Sequence, residues 1–221
     1  MKTVGHSTKL TAASLLAMVL GSYVFASDVH ADERDISKVN GGVRVSANES
    51  VGDVSTVNGG IDISTGAEAG EVSTVNGGIV IDDNATVESA ETVNGGIRLG
   101  HEVTVTGSLM TVNGGVTVND GSAVQRNIET VNGRIRLRNG HVNHDVITSN
   151  GDIHVQDGSV IEGDIVVEGR RSFLTKIFRW NNRPTEIEID SDSVVMGDIH
   201  LYREADVTID GELRGEIIEH F

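Results

Sequence analysis

Apolar residues recur along this chain at fixed offsets from a repeated Asn-Gly pair. After Asn58 they fall at Ile61, Ile63, Ala67, Ala69, Val72 and Val75. After Asn76 they fall at Ile79, Ile81, Ala85, Val87, Ala90 and Val93. The first two pairs of each unit alternate at period two, which marks strands with one buried face. The third pair is separated by three positions, which predicts a bulge or bend there. Six inward positions per unit predict three short faces around a narrow core.

The pair itself recurs at Asn40, Asn58, Asn76, Asn94, Asn113, Asn132 and Asn150, with spacings of 18, 18, 18, 19, 19 and 18. In the two longer units the extra residue falls in the third face, so that Leu109 and Ile128 come one position late. A helix is ruled out by the Val, Ile and Thr content and by Gly-Gly pairs, since each Gly costs a helix about 1 kcal/mol. One unit cannot bury its own face, but stacked units bury a continuous core and pair each backbone with its neighbours. Parallel crossovers within one sheet are right-handed. The prediction is an all-β chain, a right-handed parallel β-helix of 18-residue coils with three faces. The Asn column is expected to be structural. Asn-Gly tolerates the positive φ of a tight corner, and stacked Asn side chains can bond along the axis as a ladder.

After Asn150 a second marker takes over: Gly163-Asp164-Ile165, Gly197-Asp198-Ile199 and Gly215-Glu216-Ile217. The first two are 34 residues apart, so an insertion of about 16 residues interrupts an 18-residue coil. Composition places it at 169–184. Arg170, Arg171, Lys176, Arg179 and Arg183 supply five bases and no acid, among Phe173, Phe178 and Trp180. Phe173, Leu174, Ile177 and Phe178 recur at helical spacing, which predicts a short amphipathic helix. It either packs on the solenoid or docks on an anionic lipid, a lipopolysaccharide or an acidic protein. Coils resume over 185–221, where Phe221 is expected to plug the last one.

Residues 1–31 have the layout of a secretory signal peptide: Lys2 and Lys9, an apolar run from Leu10 to Ala26, and Ala-ended cleavage patterns at Ala26 and Ala31. Residues 32–168 then form the Asn-Gly coils, and the protein is expected in the periplasm, at the cell surface or secreted. Composition narrows the chemistry. With no Cys there is no disulfide, lipoprotein anchor or thiolate metal site. The net charge of −16 argues against nucleic-acid binding. Acids such as Asp62, Asp82 and Asp83 are scattered rather than grooved, so no catalytic residue and no cofactor is assigned. His141, His144 and His154 are read as surface histidines, so no metal ligand is assigned either. The Thr column (Thr56, Thr74, Thr92, Thr111, Thr130, Thr148) allows a further reading, an outward array of the ice-binding kind.

The repeats Ser55-Thr56-Val57-Asn58-Gly59-Gly60-Ile61 and Ser73-Thr74-Val75-Asn76-Gly77-Gly78-Ile79 resemble those of bacterial adhesin-type β-solenoid proteins. The Gly-Asp-Ile units after Val160-Ile161 and Val194-Val195 are similar to bactofilin-type polymer-forming repeats. The resemblance spans Ser37 to Ile217 outside the insertion and brings no catalytic residues. Bactofilin-type repeats imply end-to-end filament assembly in the cytoplasm, and the expected signal peptide departs from that; taken with that signal peptide, the reading is an exported, non-enzymatic envelope module. The alternatives are a scaffold that assembles through its coil ends and a carbohydrate-binding or carbohydrate-active β-helix.

Overall fold

The computed structural model describes residues 34–169 and 183–221. The expected signal peptide and residues 170–182 of the insertion, with the helix predicted there, lie outside the described residues. Among the described residues all regular elements are strands, and they pair in parallel. The chain is a β-solenoid. One nine-stranded sheet forms the face that follows each Asn-Gly corner. It runs from Val43–Val45 through Ile61–Ile63, Ile79–Ile81 and Ile97–Leu99 to Thr185–Ile189 and Ala205–Ile209. A 16-stranded sheet carries the other two faces. Its second face includes Thr104–Val105 and Ala123–Val124; its third includes Val54–Asn58, Leu109–Asn113 and Ile199–Leu201.

Register follows the repeat. Ile61 stands beside Ile79 and Ile79 beside Ile97, one coil apart. Across the insertion the partners are Ile153 with Ile187 and Ile165 with Ile199, both 34 residues apart. The coil therefore closes around the inserted segment without loss of register. Ile, Val and Leu of successive coils stack into one apolar core from Val43 to Leu201.

The spacing of three lies at a different place from the one expected. In the unit after Asn58 the buried third-face residues are Val72 and Thr74, while Val75 faces outward. Period two continues through that strand. The step of three falls earlier, between Ala69 and Val72. There the strands Glu68–Asn76 and Thr86–Asn94 bend from the second face into the third without a break. In later coils the step is four, as from Val105 to Leu109, and the bend becomes a separate turn. The additional residue of the 19-residue units thus sits at this corner.

The Thr column is buried, at 4% exposure or less for all six residues. Five of them donate through Oγ1 to a glycine carbonyl one coil back: Thr56 to Gly41, Thr74 to Gly59, Thr92 to Gly77, Thr111 to Gly95 and Thr130 to Gly114, at 2.8–3.1 Å. An outward threonine array is therefore excluded. Phe221 does not plug the last coil; it is 66% exposed.

Glycine at the Asn-Gly corner serves close approach rather than positive φ. Of these corner glycines Gly41 alone has positive φ, at 96°. A Cβ on Gly77 would instead run into the carbonyl of Gly59, and the same holds for Gly95 against Gly77 and Gly114 against Gly95. The left-handed residues sit at the next corner, at Asn48, Gly66, Asn84, Glu102, Gly121, Asn139, Asp157 and Gly158. The second Gly of each pair has more room: a Cβ on Gly78 would stand 3.2 Å from the Gly96 carbonyl. Gly77→Ala is expected to destabilise the protein by roughly 3 kcal/mol, and Gly78→Ala by less than about 1 kcal/mol. Urea unfolding of both variants measures the difference.

Candidate functional site

The Asn residues form the predicted ladder. Each Nδ2 donates to the Oδ1 of the preceding Asn at 3.0–3.2 Å, from Asn58 onto Asn40 through to Asn150 onto Asn132. All the amides point the same way, so the last one presents an open acceptor. Arg203 fills it: Nη1 donates to Asn150 Oδ1 and to the Ser149 carbonyl, both at 3.1 Å. Its Nη2 donates to the Arg183 carbonyl at 2.8 Å. Arg203 thus closes the ladder and holds the point where the chain returns from the insertion.

A shallow cavity of about 120 Å³ lies at this junction, lined by Gly133, Arg134, Asn150, Gly151, Asp152, Arg183, Pro184 and Thr185. Asp152 is its centre. The carboxylate accepts from Arg134, from Arg183 and from the Glu186 N–H. Burial pushes the Asp152 carboxyl up, but the Glu186 N–H and the two guanidiniums outweigh it and hold the group below the ordinary range. Ionised and saturated, it has no oxygen left to act as a base. The lining offers hydrogen-bond donors and one hydroxyl, with no nucleophile beside a base. It suits anchoring rather than covalent chemistry.

Outside the third face lie several acids, with Glu91 and Glu129 two coils apart and Met110 between them. Burial pushes the Glu129 carboxyl up to about 7, with Glu168 and Glu91 adding to the shift. Glu91 is raised by burial and by Glu71, and Glu71 by burial, Asp53 and Glu88. Beside them Val112 and Val131 form a small apolar cluster, packed by Val93 and Met110, separate from the main core. This outer cluster is what the expectation of an inward Val concealed.

Of the basic and aromatic residues expected to bind a partner, Arg170, Arg171, Phe173, Lys176, Phe178, Arg179 and Trp180 lie outside the described residues. Arg183 is described and is engaged with Asp152. The three histidines do not converge. His141 pairs with Glu162 at 2.9 Å on the second face, while His154 pairs with Glu188 at 2.9 Å on the first. His154 does have acidic company, since it clusters with Asp152 and Glu186. Sequence reasoning missed Arg203 because its partners are 53 and 54 residues away. The one usable signal was that the Asn column ends at Asn150 and leaves an amide to be satisfied.

The fold and this junction define a class: a parallel β-solenoid with an asparagine rail along its outer corner and a capped end to that rail. Comparison with protein-family models, curated proteins and solved structures gives no match to this chain.

Two outcomes are expected. Arg203→Ala leaves an amide oxygen and two carbonyls without their donor and is expected to cost roughly 2 kcal/mol in urea unfolding. For Glu129, the raised folded pKa means the folded chain holds more protons than the unfolded chain between pH 4.5 and about 7. Stability therefore falls as pH rises through that window. Glu129→Gln is expected to flatten the fall, read as Tm at pH 5 and pH 8.

Proposed function

We propose that this chain is an exported, non-enzymatic β-solenoid that serves as a structural or adhesive module of a cell envelope, and that it docks through the basic segment after Gly169. The supporting observation is the anchorage of that segment. The chain leaves the rod at Gly169 and returns at Arg183, where Arg203 holds the backbone carbonyl and Asp152 holds the guanidinium. A segment carrying Arg170, Arg171, Lys176, Arg179 and Trp180 is thereby followed by an end that is held at this corner. The remaining outer columns change from coil to coil, as in Arg44, Asp62, Val80, Arg98 on the first face. Such variation gives no repeated groove for a polymer substrate. The docking target is an anionic envelope surface, lipid or lipopolysaccharide. Cosedimentation with vesicles of anionic and of zwitterionic lipid tests this. The full chain is expected to bind the anionic vesicles, and replacement of 170–182 by a short Gly-Ser linker to abolish binding. Equal binding by both proteins would overturn the reading.

The coil ends favour a second reading, a scaffold that assembles end to end. In the last coil Val207, Ile209 and Leu213 are half-buried and Ile217 is 45% exposed. The column that holds the buried threonines starts at Lys38 beside Thr56 and runs on from Thr148 through Val167 and Leu201 to Glu219. Head-to-tail stacking would place those opposite charges one coil step apart. Light scattering across concentration is expected to show growing rods if this holds, and Glu219→Lys to suppress them.

A further inference from the structure

The corner between the second and third faces carries a column of acids: Asp145, Asp164, Asp198 and Glu216. Each precedes a third-face strand. One oxygen of each aspartate is committed to the next coil. Asp145 Oδ1 accepts from the Asp164 N–H at 2.9 Å, Asp164 Oδ1 from the Asp198 N–H at 2.8 Å, and Asp198 Oδ1 from the Glu216 N–H at 2.9 Å. The backbone therefore fixes the carboxylates and leaves each Oδ2 turned to other partners. Stacked parallel strands hold such groups about 4.8 Å apart, close enough for two carboxylates to repel.

His200 completes a donor set. It lies on Ile199–Leu201, two residues after Asp198, at an outward position 23% exposed in its side chain. Its Nε2 is 3.5 Å from Asp164 Oδ2. That is long for a hydrogen bond between these groups. It is close to the separation, about 3.4 Å, of two ligands on a tetrahedral ion with bonds near 2.1 Å. One donor atom from each of Asp164, Asp198 and His200 lies within 4.8 Å of the others. The second ring nitrogen, Nδ1, is 3.2 Å from His220 Nε2. The His220 ring is in turn stacked on Tyr202, with centroids 4.2 Å apart and planes 8° apart. A metal-binding imidazole is oriented in this way, by a partner on the nitrogen that does not bind. Among the described residues no Arg or Lys pairs with Asp164 or Asp198. The other trio of this kind, Asp152, His154 and Glu186, differs there, because Arg134 and Arg183 already occupy its aspartate.

We propose that Asp164, Asp198 and His200 bind a divalent transition-metal ion of the zinc class. A nitrogen with two carboxylates suits zinc and its first-row neighbours better than calcium, which prefers six or more oxygens. Asp164 lies before the insertion, and Asp198 and His200 lie after it. The ion joins the coil on one side of the inserted segment to the coil on the other. Binding requires the imidazole neutral and both carboxylates ionised.

The test is titration of the untagged full chain, freed of metal by chelator, with zinc chloride alone and with cobalt chloride alone. Calorimetry is expected to find one equivalent of zinc per chain, with a rise in Tm. Cobalt is expected to give the visible absorption of a four-coordinate site. Asp164→Asn keeps the oxygen that accepts the Asp198 N–H, so the coil stays intact while affinity falls at least tenfold. His200→Ala is expected to do the same and to remove the cobalt absorption. His154→Ala, at the other trio, is expected to leave both readouts unchanged. An affinity that survives His200→Ala and Asp164→Asn overturns the proposal, as does loss of binding in His154→Ala alone. Absence of any stoichiometric binding at pH 7.5 also overturns it.

Discussion

The structure depends on how closely one coil lies on the next at the Asn-Gly corner. There the backbone of each coil rests on the glycine carbonyl of the coil before it, with no space for a Cβ. The same carbonyls accept from the buried threonines. Both features follow from the short axial step of parallel strands, since a hydroxyl at that position reaches the carbonyl only if nothing stands between them. The Asn rail then runs outside the corner at the same period. One steric constraint thus aligns three columns, of glycine, threonine and asparagine, and the apolar columns of the faces follow in register. Net hydrogen-bond contributions are small singly, about 1 kcal/mol each. Repeated down a column, they select one register and exclude slippage.

The sequence made the architecture legible because a solenoid writes its period directly. Alternation at Ile61 and Ile63, and at Ile79 and Ile81, located the first face. The ladder from Asn40 to Asn150 followed from spacing alone, and the 34-residue step marked the interrupted coil. Two points misled the reading for one reason. Val before Asn is apolar and reads as inward, whereas Thr is polar and allows the further reading of an outward array. The corner reversed both, because a buried hydroxyl with a carbonyl acceptor is satisfied and a valine beside other valines outside the core is partly covered. Hydrophobicity is a poor guide where a backbone acceptor is built into the wall.

The candidate site was less legible for a geometric reason. In a solenoid, neighbours in space are separated by a coil in sequence, and here by a coil plus an insertion. Arg203 meets Asn150, and His200 meets Asp164, only because 34 residues close into a single turn. Histidines close in sequence, His141 and His144, invited attention, yet His141 belongs to a surface ion pair. Residue types alone could not distinguish these cases. Column positions could, once the register across the insertion was known.

The single direction of the asparagine rail has a consequence for the molecule as a whole. Every coil between Asn40 and Asn150 presents the same donor backward and the same acceptor forward, so any such coil can precede or follow any other. Duplication or loss of one unit would lengthen or shorten the rod by a fixed increment and leave both termini chemically unchanged. Arg203 then ends the rail, because it occupies the acceptor that another asparagine would need, while the rod itself continues beyond it. The protein is in this sense a graduated ruler with a marked end, whose span can change across generations by whole divisions.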